Sequence, residues 1–292
     1  MIEEETSEDL NRFETPDEAL HYVRYAGTIP DGELDLGETA LALALIFLPG
    51  VNPDRYRSHI RRMGDALEEE YAQRLKQGED HLELRATALR KVMHETNGYK
   101  GDEKNYDDIQ NANLIRVIER RQGLPVALGI LYIVIARRMG WAAEGLNFPG
   151  HFLVRLEKEG ERMILDPFRE GREMNAAELR KLLKAVVGKG AELSHNYYDT
   201  VSSRDMLIRL QNNLKKRLID LEEYAQAVIV LEAMEALAPQ EYRTLFDKGV
   251  LYAKLGQKAQ AVTAIENYIA RAPLESDKAQ ARSLLQQIKN GF

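Results

Sequence analysis

Apolar side chains recur at three- and four-residue spacing through much of this chain, the period of one helical face. Tyr56, Ile60, Met63, Leu67, Tyr71 and Leu75 mark a long amphipathic helix opened by Asn52-Pro53-Asp54. Thr15-Pro16-Asp17-Glu18 predicts another start: Thr15 caps, Pro16 suits the first turn, and the acids complement the positive dipole end. Asp35 to Leu48 reads as an apolar helix stopped by Pro49-Gly50, and Leu82 to Glu95 as a further helix after the break at Gly78. Asn97 to Asp108 is a polar loop, followed by a helix from Ala112 to Gln122 that Gly123 ends. Val126 to Met139 is apolar on almost every face, which predicts a buried central helix. The pattern then shortens. Phe152–Glu157 and Arg162–Asp166 predict two strands around the turn Lys158-Glu159-Gly160-Glu161. Ala176 to Val187 returns to helix.

Polar composition sets the expected boundaries. Residues 1–15 read as a flexible end, 16–190 as one domain, 191–204 as a linker, and 205–292 as a helical array. Within that array, residues 217–239 align on 251–273 at an offset of 34, with nine of 23 positions identical, Ala227/Ala261 and Pro239/Pro273 among them. A helix-turn-helix period of 34 residues resembles the tetratricopeptide repeat, whose stacked hairpins present a surface to peptides or helices. Asn212 and Lys216, one helical turn apart, are the array's candidate contact for a peptide carboxylate; the alternative is a solvated face.

Composition narrows the class. The chain has 292 residues, a net charge of −7 and no cysteine. The charge argues against direct nucleic-acid binding. Without cysteine there is no disulfide or thiolate metal site. No histidine spacing suggests a metal, so no cofactor is expected. The longest apolar run, Ala40 to Leu48, is far short of the ~20 residues needed to span a bilayer. The N-terminus has no signal-peptide pattern. A cytoplasmic protein is expected.

The order of helix, histidine and aspartate carries the candidate chemistry. A cysteine at a helix tip, a histidine base and a carboxylate that orients it make a thiol acyl-transferase or hydrolase. His151 opens the first strand of the hairpin and Asp166 closes the second. A turn centred between Lys158 and Glu159 would set the two directly opposite each other. The attacking atom should come from the first turn of the apolar helix, but that turn offers Pro125, Val126 and Ala127. None of them can attack a carbonyl.

These words resemble the regulator of sirC expression family, bacterial proteins joining a transglutaminase-like domain to tetratricopeptide repeats. The resemblance rests on Asn111-Ala112-Asn113-Leu114, Arg121-Gln122-Gly123-Leu124-Pro125-Val126-Ala127-Leu128, Asn147-Phe148-Pro149-Gly150-His151-Phe152 and Leu165-Asp166-Pro167-Phe168. It implies a mainly helical α+β fold with a papain-like or transglutaminase-like core and a small antiparallel sheet. His151 and Asp166 would take the His and Asp positions of the triad, with the Cys position empty near Pro125–Ala127. Asn113, Asn147 and the Pro125–Ala127 turn are the further candidate binding positions. The expected function is non-catalytic: a degenerate domain coupled to a protein-binding module, reaching a protein or peptide partner through residues 205–292. The alternative is an amide or ester hydrolase in which His151 and Asp166 act as a general-base pair on water.

Overall fold

The computed structural model of the protein describes residues 13–290. The first helix, α1 (Pro16–Thr28), begins where its capping signal falls. Thr15 Oγ1 accepts the Glu18 amide, and the Glu18 carboxylate accepts the Thr15 amide, a reciprocal cap. Asp35 caps α2 (Leu36–Leu45), which is buried on nearly every face. The amphipathic stripe forms α3 (Asp54–Leu75), with Tyr56, Met63 and Leu67 inward. α4 (Leu82–Arg90) runs into a π-helical turn, Lys91–Thr96. A parallel bridge between β1 (Lys100–Gly101) and β2 (Gln122–Gly123) flanks α5 (Leu114–Arg120).

α6 (Pro125–Arg138) is the central helix that its pattern demands: every residue from Pro125 to Ile133 is buried. A five-stranded antiparallel sheet packs on it. β3 (Ala142–Leu146), β4 (Val154–Lys158), β5 (Glu161–Asp166) and β6 (Arg172–Glu173) are joined after α7 (Ala176–Val186) by β7 (Thr200–Val201), in the order β6-β5-β4-β3-β7. The close approach of helix and sheet depends on two glycines. A Cβ at Gly129 or Gly145 would collide with the Phe152 ring lying between them.

The hairpin register differs from the expected one. Val154 pairs with Leu165 and Lys158 with Glu161, so the turn is Glu159-Gly160, both at positive φ. That two-residue turn has the twist of an antiparallel hairpin. Carried past the strand end, the register sets Asp166 opposite Leu153, two residues beyond His151. A two-residue offset preserves the face, because side chains alternate with period two, so the histidine still reaches the carboxylate diagonally.

Two stretches expected to be loose carry structure. Phe13 is fully buried, with the Arg57 guanidinium over its ring and Tyr22 beside it; residues 1–12 of the expected flexible end lie outside the described residues. The expected linker 191–204 supplies β7, and its Leu193, Tyr197 and Tyr198 pack on a small core with Leu153 and Leu183. Polarity missed both because one aromatic ring or two paired backbone residues suffice to anchor a short segment.

The repeats follow as α8 (Ser203–Asp220), α9 (Tyr224–Leu237), α10 (Arg243–Lys254), α11 (Lys258–Arg271) and α12 (Glu275–Asn290). Ala227 and Ala261, the aligned small positions, are both fully buried. α8 belongs as much to the first domain as to the repeats. Met206, Leu207 and Leu210 share the core of α6. The Asp31 carboxylate accepts the Ser203 and Arg204 amides at 3.0 and 2.8 Å. Arg204 in turn donates to the carbonyls of Ala26, Ile29 and Leu237, tying α1 to α9.

Candidate functional site

The site grows from the start of α6. Leu124 is its N-cap and gives no side-chain bond, and Pro125 has no amide to offer. The amides of Val126 and Ala127 find no acceptor among the described residues, as first-turn amides do without a cap. The Leu124 amide is fixed to the Asn111 carbonyl at 3.0 Å, and Gly101 pairs with Gly123 just before the helix.

His151 sits in the turn that precedes β4. Its Nε2 lies 2.9 Å from Asp166 Oδ1. The imidazole is about one-tenth exposed and the carboxylate is fully buried. The same Oδ1 also accepts the Phe168 amide at 3.0 Å and the Arg169 amide at 3.4 Å, locking the turn after β5. Asp166 Oδ2 is buried without a hydrogen-bond partner among the described residues; Arg169 Nε is 3.8 Å away. In the tautomer with the proton on Nε2, the carboxylate accepts it and Nδ1 is left as the acceptor, the arrangement a general base requires.

The surroundings were not read from the sequence. Arg209 of α8 donates to the backbone carbonyls of His151 at 2.7 Å and Phe148 at 3.2 Å, and its guanidinium lies over Phe152. Burial pulls the Arg209 pKa below its usual range. Phe168 meets the His151 ring edge-on at 6.1 Å and Tyr106 at 5.7 Å. It lies so close to Gly101 that a Cβ there would come 2.5 Å from the ring. The glycine in Lys100-Gly101 was the available signal for that approach; nothing local marked Arg209, which arrives from 58 residues away.

No nucleophile replaces the missing thiol in the first turn. Val126 and Ala127 are buried hydrocarbon. The Tyr132 hydroxyl, two turns along, is fully buried and bonded to His94 Nε2, while His94 Nδ1 bonds the Tyr99 carbonyl. Burial raises the Tyr132 pKa well above that of a free phenol and lowers that of His94, so this pair stays neutral.

The remaining candidates fall into separate places. Asn113 is the N-cap of α5, accepting the Arg116 amide at 3.2 Å and donating to the Ala44 carbonyl at 2.9 Å. Asn147 is exposed, and its amide donates to the Asp199 carbonyl. Asn212 and Lys216 are exposed on α8, lining an open groove of about 430 Å³ with Arg209. The groove and the His151 corner thus share one arginine. Among the described residues no cluster of three or more acidic or histidine side chains could hold a metal, and no helix is long and apolar enough to cross a membrane.

A buried helix with a His–Asp hairpin packed on it, continued by helical hairpins of 34-residue period, defines a transglutaminase-like domain fused to tetratricopeptide repeats. The model of the transglutaminase-like superfamily matches residues 54–212, and that of a tetratricopeptide repeat matches 214–289. The chain belongs to the transglutaminase-like superfamily. It is similar to a UPF0162 protein of Xylella fastidiosa, at 28% identity over 90% of this chain and 93% of the relative. It is similar also to protein SirB1 of Salmonella typhimurium, at 27% over 60% of this chain and 65% of that one, in line with the family resemblance of its sequence words. Human F-box only protein 21 shares 28% identity over 58% of this chain, which is 28% of its own length. The first-domain match ends inside α8, as the shared core requires.

Proposed function

We propose that this chain is a non-catalytic transglutaminase-like scaffold, with a regulatory role exerted by binding a protein through its repeats. The observation that carries the reading is the α6 tip. The family's fold reserves this helix start for an attacking atom, and the turn after Asp166 packs on the same helix, yet the first turn presents only Pro125, Val126 and Ala127. Aliphatic side chains cannot form the covalent intermediate on which this chemistry depends. The homology to SirB1 and the repeat array support a regulatory or protein-interaction role. The groove beside Asn212 and Lys216 is the proposed peptide contact, because its cation reaches solvent next to a rigid, buried corner.

A second reading has one observation in its favour. The Nε2–Asp166 bond leaves Nδ1 able to deprotonate water, and the Val126 and Ala127 amides could stabilise an oxyanion, which makes an amide or ester hydrolase. Panels of acyl, amide and peptide substrates separate the two. No turnover above background is expected from the wild-type chain. Turnover that disappears in His151→Ala would reject the non-catalytic reading. For the binding half, a partner captured from cells should be released by Lys216→Glu and retained by His151→Ala; the opposite pattern would move the contact off α8.

A further inference from the structure

The other end of α6 carries a second concave site. Arg137 and Arg138 lie in its last turn, about 20 Å from the first turn at ~1.5 Å per residue. A cavity of about 470 Å³ opens there between α2, α3 and α6, a volume within the range of small-ligand pockets. Leu36, Leu41, Ile60 and Val134 give it an apolar floor, and four arginines line it against two carboxylates.

The carboxylates are already engaged. Asp35 Oδ1 accepts the Glu38 amide at 2.8 Å, and Glu38 Oε1 accepts Arg57 Nε at 2.6 Å. Arg138 pairs with Asp65. Two cations are left over. Arg137 donates Nε to the Ala143 carbonyl at 3.1 Å and Nη1 to the Ser203 hydroxyl at 2.9 Å, both neutral acceptors, and no described carboxylate lies within ion-pair distance of it. Arg61, one turn along α3 from Arg57, makes no hydrogen bond or ion pair with any described residue. Burial also holds the Arg137 pKa below the usual guanidinium range, as expected of a cation short of an anion.

We propose that this cavity binds a small amphiphilic anion. One carboxylate or phosphate head lies between Arg61 and Arg137, and a short acyl-type body lies on the apolar floor. Arg61 offers a whole guanidinium fork and Arg137 its uncommitted Nη2, donors that suit either head. The floor and rim come from helices, whose backbone groups bond within their own helix. An extended peptide would find no ladder there, whereas an amphiphile with a single polar end needs none. The site is separate from the His151 corner and does not depend on the function proposed for it.

Titration calorimetry of the full chain with octanoate, octyl phosphate and 1-octanol tests this. Both anions should bind, and octanol at least tenfold more weakly. Arg61→Gln should weaken octanoate at least fivefold with the thermal midpoint unchanged; Arg137→Gln should weaken it as much and also lower the midpoint, because it loses the bonds to Ala143 and Ser203. Arg61 is exposed, so its variant keeps the test alive if loss of Arg137 disturbs the fold. Octanol binding as tightly as octanoate, unchanged affinity in Arg61→Gln, or no binding of either anion at millimolar concentration overturns the proposal.

Discussion

Replacing Asp166 separates the two things its carboxylate does. All three of its hydrogen bonds, from His151, Phe168 and Arg169, end on Oδ1. Asp166→Ala strips the acceptor from all three in a fully buried position. A buried donor left unpaired costs about 1–3 kcal/mol, and a lost turn cap about 1 kcal/mol. The loosely made Arg169 bond, at 3.4 Å, adds little. The alanine variant should therefore lose about 3 kcal/mol, or a thermal midpoint drop of about 5 °C for a chain of this size. Asp166→Asn can present its carbonyl oxygen in the same place and keep all three bonds. Its amide nitrogen then takes the position of Oδ2, which has no hydrogen-bond partner but lies 3.8 Å from Arg169 Nε. The cost should be about 1 kcal/mol. Urea unfolding of the two variants beside wild type measures both. An alanine variant within ~0.5 kcal/mol of wild type, or an asparagine variant less stable than alanine, would refute the claim that this side chain works through Oδ1 hydrogen bonds.

Other expectations follow from the same packing. A methyl at Gly27 would drive into the Ala236 carbonyl of α9, so Gly27→Ala should cost about 1–2 kcal/mol, overpacking outweighing the ~1 kcal/mol helix gain; Gly32→Ala, with open space around it, should move the urea midpoint little. Arg204→Met removes donors from three carbonyls on α1, its following turn and α9 and should cost about 2–4 kcal/mol, seen as loss of cooperative unfolding between repeats and first domain. His59 has a pKa pushed down to about 4, by burial first and then by Arg121 and Arg62, with Tyr99 OH on its Nε2. The unfolded chain takes up this proton near the ordinary value of ~6.5 and the folded chain does not, so stability should fall as pH drops from ~6.5 to 4. Burial lowers the His94 pKa too and acts in the same sense. Urea midpoints at pH 7.5 and 5 should differ, and His59→Gln should shrink the difference; a midpoint that rises on acidification would contradict the burial of both rings.

Much of the candidate site was legible because its parts are local. His151 and Asp166 flank one short hairpin, so a two-residue error in the turn kept them on one face and within reach. Asn113 shows why a local word does not separate roles: a helix cap and a ligand contact use the same amide chemistry, and only the fold brings it to the Arg116 amide and the Ala44 carbonyl. Arg209 and Gly101 escaped notice, and Phe168 was read only as part of a family word, because their importance lies in whom they touch, at separations that no window of periodicity spans.

By itself the sequence determined the central helix, the repeat period and the absence of any cysteine, since apolar period, identity at 34 residues and side-chain chemistry are properties of the chain. Only the tertiary structure decided that α8 closes the first domain as well as opening the repeats. Met206, Leu207 and Leu210 look alike whichever core they enter. Burial of an apolar face is non-directional, and the directional bonds that choose its partner, from Asp31 and Arg204, join residues far apart along the chain.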